Sequence, residues 1–359
     1  MRKQLNSLQL YRGLASILVV LHHANIILDR ELKQDGLFGL FHFGWIGVDF
    51  FFVLSGFIIF YIHQSDLSQP SQFKSFVKKR CLRIYPFYWL LLVIKICGSW
   101  LVERNGSFDG VDLWQFIQVV LLTPQPGTNL TPFIGVAWTL TYEIFFYSIF
   151  SLLILLKPKL YIPLIITWIV GIILNIVNIL PLQGYLLLDF IFNPRNLEFV
   201  FGCIAAYIVS TRRYEYQKIW VYLALTMLIV AIMNTGDREY NVAGLSPVIA
   251  YGIPFAILII GSVQVENRTI LKIPALAIYL GNASYAIYLT HGLFINTIAK
   301  IYLKAVEIAP ILIVPSIFNP IVATIVVVMS IALGCIVHDR IERPLMKRLN
   351  NPKSTRSSL

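Results

Sequence analysis

Residues 11–28 read YRGLASILVVLHHANIIL, an apolar segment that contains Arg12 and His23. A run of this length can cross a bilayer as an α-helix, but a hydrocarbon core tolerates ionisable side chains poorly. Eleven helical steps separate the two residues by roughly 16 Å along the axis, about half the hydrocarbon thickness. The segment therefore predicts a transmembrane helix with a cation near one membrane face and an imidazole deeper within.

The composition is that of a membrane protein with many spans. Of the 359 residues, 57% are hydrophobic and 13% are charged, and the mean hydropathy is +0.74. Soluble domains carry about 25% charged residues, so the chain is too apolar for a soluble enzyme with a single anchor. The four cysteines are scattered, which predicts free thiols and no zinc site. The net charge of +11 is read as an orientation signal and not as a sign of nucleic-acid binding.

Ten apolar stretches are long enough to span a bilayer. They lie at 8–28, 43–63, 84–102, 133–156, 160–180, 187–209, 218–233, 244–262, 280–302 and 314–338. Segment 112–123 is apolar but short, which is typical of an interfacial or re-entrant piece. The predicted fold class is an all-α integral membrane bundle of about ten transmembrane helices.

Basic residues favour one orientation of this bundle. With the N-terminus inside, the cytoplasmic segments hold twenty Lys and Arg residues and the outside loops hold five. This bias predicts that both termini are cytoplasmic and that the number of spans is even. Residues 1–345 are predicted to form one membrane-embedded domain, and residues 346–359 a polar cytoplasmic tail.

Orientation gives each polar residue within a span an approximate depth. Arg12, Arg80 and Arg83 form a cationic set at the cytoplasmic side. A second group at mid-membrane or further out consists of His23, Asp49, Glu143, Arg195 and His291. Ionisable residues at such depths usually line a pathway or a site. We infer that the members of this group converge in space.

Several of these residues also have a structural interpretation. The two arginines of the third span could be anchors that snorkel to the membrane surface. Arg195 and Glu198, spaced i, i+3, could only neutralise each other, and Asp49 could bond a neighbouring helix. For His23 and Glu143 we favour function, because nothing soluble lies nearby to satisfy them.

Seven stretches resemble motifs of acyltransferase family 3, whose members are multi-spanning membrane acyltransferases. In chain order they are LQLYRGLASILVVLHHA, GVDFFFVLSGF, KKRCLRIYPFYW, WTLTYEIFFY, NPRNLEFVFG, GNASYAIYLTHG and IERPL. They extend from residue 8 to residue 345, so the resemblance covers nearly the whole chain. Seven motifs in family order are specific for the family, but not for one substrate.

The resemblance implies a fold of about ten helices, acyl-coenzyme A as a cytoplasmic co-substrate and a sugar acylated on the far side. By resemblance, Arg12 and His23 match the family's arginine–x10–histidine pair. Arg80 and Arg83 match its RxxR element. All three arginines are therefore expected to bind the phosphates of acyl-coenzyme A, since guanidinium groups form bidentate hydrogen bonds with phosphate.

Two positions depart from the family pattern. Thr139 replaces the serine of the tryptophan–serine–leucine–x–x–glutamate motif, whose glutamate matches Glu143, and it keeps the hydroxyl. His22 replaces the phenylalanine common before the histidine. It points about 100° away from His23 on a helix, so the two imidazoles are not expected to serve one site.

The expected chemistry centres on the imidazole of His23. It would deprotonate a sugar hydroxyl, or take the acyl group itself before passing it on. Glu143 or Asp49 would orient His23 and stabilise its imidazolium, as a triad carboxylate does. Arg195 or His291 would stabilise the developing oxyanion.

The predicted function is membrane O-acyl transfer at the bacterial cytoplasmic membrane. An acyl group, by default acetyl, would move from acyl-coenzyme A to a sugar hydroxyl of a surface polysaccharide, such as exopolysaccharide or O-antigen, or of its lipid-linked precursor. Neither a bound cofactor nor a metal is expected. The alternative is a transporter or flippase of a glycan precursor, which should show inverted repeats or broken half-helices. We find neither in the sequence.

Overall fold

A computed structural model describes residues 5–32, 40–102, 112–124, 134–180, 182, 184–212, 215–235, 246–308 and 315–350. Over these ranges the chain is helical and no β-strand is assigned. The α-helices are α1 Asn6–Leu32, α2 Ile46–His63, α3 Phe73–Val102, α4 Leu113–Leu121, α5 Trp138–Leu155, α6 Pro158–Ile176, α7 Leu186–Ile191, α8 Asn196–Thr211, α9 Gln217–Met233, α10 Pro247–Arg268, α11 Ala275–Ile308, α12 Pro315–Val337 and α13 Arg343–Asn350.

The all-helical, membrane-embedded class is confirmed. Within the described residues, seven helices are long and apolar enough to cross a membrane, by length and composition. Within the described ranges each predicted span falls mostly on helix, and the short apolar segment at 112–123 contains the nine-residue helix α4. The number of ten spans and the sides of the termini stay predictions. Of the predicted tail, residues 346–350 belong to α13, and residues 351–359 lie outside the described ranges.

The stretch predicted as one span at 187–209 is two helices, α7 and α8. The break follows from Pro194, which has no N–H to continue a helix. The side-chain amide of Asn196 donates to two carbonyls at the end of α7, at 2.9 and 3.1 Å, and so satisfies groups that the break exposes. The prediction of one continuous span at 187–209 is therefore wrong.

Helix α3 begins eleven residues before the span predicted at 84–102. A short 3₁₀ turn with Pro70 at its first position precedes it, and no glycine or proline interrupts the helix before Pro86. Arg80 and Arg83 consequently lie one turn apart inside a helix, on neighbouring parts of one face. The basic stretch KKRCLRIYPFYW is thus part of one continuous helix.

Helices α1 and α11 are parallel neighbours in close contact. Gly281 near the start of α11 lies against the first turns of α1, where a Cβ would meet backbone at 2.0 Å. Gly13 faces the same stretch of α11. Ten residues further along each helix, His23 lies against His291. Small residues at one end of the pair thus allow the approach that brings the two imidazoles together.

Helix α2 packs against α8 in the same way. A Cβ on Gly56 would meet the carbonyl oxygen of Phe199 at 2.0 Å, and one on Gly202 would meet that of Val53 at 1.9 Å. Most of α2 is buried. It is the central helix around which the site is built.

Hydrogen bonds between helices join several helix ends at one end of the molecule. Near the end of α10, Glu266 accepts from two backbone N–H groups in the first turn of α1, at 2.7 and 2.9 Å. Gln64 donates to Ser210 at 3.1 Å, which joins the ends of α2 and α8. Tyr279 donates to Asp339 at 2.8 Å, which joins the start of α11 to the end of α12. We call this end, with residues 5–7, 64–83, 210–212, 266–279 and 339–350, the basic end.

Candidate active site

A cavity of about 630 Å³ lies between α1, α2, α3, α5 and α11, next to residues 338–346. This volume suits a sizeable organic ligand. The three arginines of the predicted cationic set, Arg12, Arg80 and Arg83, all line it. Glu143 from the second predicted group also lines it, but His23, Asp49, Arg195 and His291 are not among the lining residues.

One face of α5 supplies a row of polar groups to this cavity. Thr139, Glu143 and Tyr147 follow one another at four-residue spacing, so their side chains lie above one another on the helix. Glu143 accepts hydrogen bonds from the hydroxyl of Tyr147 and, at 3.2 Å, from that of Ser55 on α2. The carboxylate is therefore held in place on the cavity wall.

Arg80 is held by two aromatic rings and a histidine. Its guanidinium carbon lies 5.5 Å from the centroid of the Phe76 ring and 5.7 Å from that of Tyr147. Its Nη2 lies 2.6 Å from Nε2 of His63, whose Nδ1 lies 2.7 Å from Asp66. These contacts hold the guanidinium on the cavity wall.

Arg83 contacts the closing IERPL motif. Its Nη1 lies 3.4 Å from Oε1 of Glu342, and its guanidinium carbon lies 5.0 Å from the centroid of the Tyr285 ring. The other oxygen of Glu342 accepts from Nδ1 of His338 at 2.7 Å. Residues 338–342 form a π-helical turn, a feature common at functional sites. The motif thus ties the end of α12 to the RxxR element.

His23 and His291 form a ring pair outside the cavity. Their centroids are 4.9 Å apart. Nδ1 of His23 lies 3.0 Å from the carbonyl of Val19, and Nδ1 of His291 lies 2.6 Å from the carbonyl of Tyr288. A carbonyl only accepts, so Nδ1 carries the proton in each neutral ring and Nε2 keeps its lone pair. Nε2 of His291 is buried and has no hydrogen-bond partner within the described ranges.

Tyr288 lies between the cavity and the histidine pair. Its ring lines the cavity and sits 5.9 Å from the ring of His291. Its hydroxyl is 3.0 Å from that of Thr139, which donates to the carbonyl of Val136 at 2.9 Å. Because Thr139 has one proton to donate, Tyr288 is the donor to Thr139. This hydrogen bond therefore lies in the part of the cavity wall next to His291.

The remaining predicted residues form a separate cluster. Nη1 of Arg195 lies 3.2 Å from Oδ1 of Asp49, and its guanidinium carbon lies 5.0 Å from the centroid of the Trp138 ring. Glu198 is fully buried, and its carboxyl group lies against that of Asp49. The two carboxylates predicted to orient His23 are thus placed elsewhere: Asp49 pairs with Arg195, and Glu143 lines the cavity. The backbone carbonyl of Val19 orients the ring of His23 instead.

Sequence reasoning missed several contact residues of the site. His63 and Glu342 were not singled out, because each lies near the end of a span, where polar residues are common. Tyr147 was not singled out either, and Tyr288 was interpreted as a packing aromatic. Tyr147 lies four residues after Glu143, and Tyr288 lies three residues before His291. This helical spacing could have identified both tyrosines from the sequence. Among the described residues, no group of three or more His, Cys, Asp or Glu could hold a metal ion.

Comparison with known proteins decides the family. Residues 5–339 match a family model described as "Acyltransferase domain". The chain belongs to this acyltransferase family. It is accordingly an enzyme of acyl transfer, and the predicted alternative, a transporter or flippase without acyl transfer, is not supported.

Three curated relatives of this acyltransferase illustrate the family. It is 25% identical over 326 residues to "Exopolysaccharide production protein ExoZ" of Rhizobium meliloti, covering 86% of this chain and 91% of that protein. It is 28% identical over 294 residues to "Putative acetyltransferase ORF330" of Acidianus two-tailed virus, covering 78% and 80%. It is 31% identical over 189 residues to "Peptidoglycan O-acetyltransferase OatA" of Listeria monocytogenes, covering 46% and 27%. No solved structure matches the chain.

Proposed function

We propose that this acyltransferase moves an acetyl group from cytoplasmic acetyl-coenzyme A to a sugar hydroxyl of a surface polysaccharide or its lipid-linked precursor. One observation carries the proposal: the three arginines of the predicted cationic set, together with Arg343, line a single cavity at the basic end, and its inner end lies beside a histidine pair. The names of two relatives, exopolysaccharide production and O-acetyl transfer, support the acceptor class and the acyl group.

The proposed setting is the bacterial cytoplasmic membrane, with ten spans and both termini in the cytoplasm. The parallel packing of α1 and α11 supports this topology, because spans one and nine run in the same direction in it. The gathering of basic segments at one end supports placing that end in the cytoplasm.

The cavity would hold the coenzyme A moiety of the donor. Phosphate groups would bind Arg80 and Arg83 near the mouth and Arg12 deeper in, through charge-assisted hydrogen bonds. Arg12 and His23 are eleven residues apart, which leaves them within about 20° of one face of α1. The thioester would therefore approach His23 along this face, past Tyr288.

Nε2 of His23 would act on the acyl group in one of two ways. In direct transfer it accepts the proton of the sugar hydroxyl as that oxygen attacks the thioester carbonyl, and the proton passes to the departing thiolate of coenzyme A. In the covalent route Nε2 attacks the thioester and expels the thiolate. The sugar oxygen then attacks the acyl-imidazole, the C–N bond breaks to return neutral His23, and the hydroxyl proton passes to the thiolate of coenzyme A. Arg195 is the proposed oxyanion donor, and His291 would share this role only as an imidazolium, because the one proton of its neutral ring is donated to the carbonyl of Tyr288. Glu143 is the proposed catalytic carboxylate at the donor side, and Asp49 would hold Arg195.

The test uses the purified full-length protein in lipid nanodiscs with radiolabelled acetyl-coenzyme A. Label should accumulate on wild-type protein under a quench that preserves acyl-imidazole if the route is covalent, and His23→Ala should abolish it. In cells, deletion of the gene should remove one acetyl mass per repeat from a surface glycan, and His23→Ala should not restore it. Unchanged glycans, together with no consumption of acetyl-coenzyme A by the purified protein, would overturn the proposal.

A further inference from the structure

The side chain of His63 bridges Asp66 and Arg80 at the basic end. His63 is the last residue of α2, and only 6% of its surface is exposed. Its Nδ1 lies 2.7 Å from Oδ2 of Asp66, and its Nε2 lies 2.6 Å from Nη2 of Arg80. The ring stands edge-on to Phe76, with centroids 5.0 Å apart. Both ring nitrogens and one ring contact therefore hold the imidazole in place.

The chemistry of the three groups assigns every proton in this bridge. A guanidinium can only donate, so Nε2 of His63 must be the acceptor and carries no proton. The single ring proton is then on Nδ1, where it is donated to the carboxylate of Asp66. The bridge thus requires a neutral imidazole in one tautomer. An imidazolium would direct an N–H at Arg80 and add a like charge beside it.

The bridge leaves Arg80 able to bind a ligand. The guanidinium has five N–H donors, and His63 takes one of them. Nε of Arg80 has no hydrogen-bond partner among the residues that the structure describes. With one nitrogen held by His63 and the guanidinium packed against Phe76 and Tyr147, little side-chain entropy remains to be lost when an anion binds.

We propose that His63, oriented by Asp66, is a positioning residue for Arg80, and that protonation of His63 releases Arg80 and weakens donor binding. The inference rests on the proposed function, because the anion in question is the phosphate of coenzyme A. The charged groups that face His63 are Asp66 on the following turn and Lys79 and Arg80 on α3. When acid protonates His63, the imidazolium therefore faces two cations, Lys79 and Arg80, and one carboxylate, that of Asp66.

The experiment measures the dissociation constant of coenzyme A and the kcat and KM for acetyl-coenzyme A, on full-length protein in nanodiscs, between about pH 5 and 8. In His63→Ala, loss of one hydrogen bond to a charged group should raise Kd and KM at least about ten-fold, with kcat changed much less. In His63→Gln, the amide oxygen still accepts from Arg80 but does not titrate. That variant should bind more tightly than His63→Ala and lose the part of the acid dependence that His63 contributes.

Gln64→Ala is the matched control, because Gln64 adjoins His63 but its side chain contacts Ser210 instead. It should leave Kd and its pH profile unchanged. If His63→Ala does not accumulate in membranes, His63→Gln and Asp66→Asn carry the test. Wild-type protein that binds no coenzyme A would overturn the proposed donor and this inference with it. Equal Kd for coenzyme A in wild type and both His63 variants, with superimposable pH profiles, would overturn the inference alone. A fall in kcat at constant KM in the His63 variants would do the same.

Discussion

At the residue scale, the two adjacent histidines of α1 have different surroundings. His23 packs against His291 on the side toward the cavity. His22 is buried and is held by backbone groups of Phe41 and His42, at the turn before α2. Their ring planes are nearly perpendicular, and their positions on the helix diverge by about 100°. His22 therefore serves the packing of the turn, although it stands beside the proposed catalyst.

This difference predicts separable effects for the two side chains. His22→Phe removes a buried hydrogen bond and should lower stability by about 1 to 2 kcal/mol, while kcat stays within a few-fold of wild type. His23→Phe should abolish transfer with little change in stability. Thermal unfolding and turnover of the same nanodisc preparations check both. Loss of turnover in His22→Phe at unchanged melting temperature would assign the reactive imidazole to His22.

At the element scale, the site depends on how closely helices approach. The parallel contact of α1 and α11 aligns His23 with His291, and the break between α7 and α8 places Arg195 at the start of a helix beside Asp49. Neither arrangement follows from hydropathy. Both follow from residues without a bulky side chain or without an N–H: the glycines of the α1–α11 contact and Pro194.

Two glycines of α11 offer a matched test of this idea. A Cβ on Gly281 would meet α1 backbone at 2.0 Å, whereas a Cβ on Gly292 would meet nothing within 4 Å. Gly281→Ala must push α1 and α11 apart, so it should cost about 1 to 3 kcal/mol of stability and most of the activity. Gly292→Ala should be neutral or stabilising by about 1 kcal/mol, because alanine favours helix. Equal stability and activity in the two variants would contradict the role given to the helix contact.

At the scale of the whole molecule, the cavity lies at the end where the basic residues are concentrated. The cavity arginines Arg12, Arg80, Arg83 and Arg343 lie toward the basic end, as do most of the other Lys and Arg residues in the described part of the chain. A polyanionic donor made in the cytoplasm would meet this end first if the positive-inside rule holds for the chain. The proposed acceptor side then lies beyond the histidine pair.

Single cysteines introduced into a cysteine-free, active variant test this orientation. Ile270 at the basic end is 91% exposed, and Ile308 at the far end of α11 is 86% exposed. A membrane-impermeant maleimide added to spheroplasts should label Ile308→Cys, and should label Ile270→Cys only after the membrane is opened. The reverse pattern would invert the proposed topology and place the arginine cavity outside.

The sequence by itself determined the class, the family and the residues worth testing. These features are local: hydropathy identifies helices, fixed spacing identifies Arg12 with His23 and Arg80 with Arg83, and seven motifs in order identify the family. Only the tertiary structure decided which polar groups meet. Asp49, not Glu198, forms the salt bridge with Arg195, and Glu143 joins the arginine cavity while His23 pairs with His291. The physical reason is that helix neighbours are set by packing at glycines and breaks, which depth along a span does not encode.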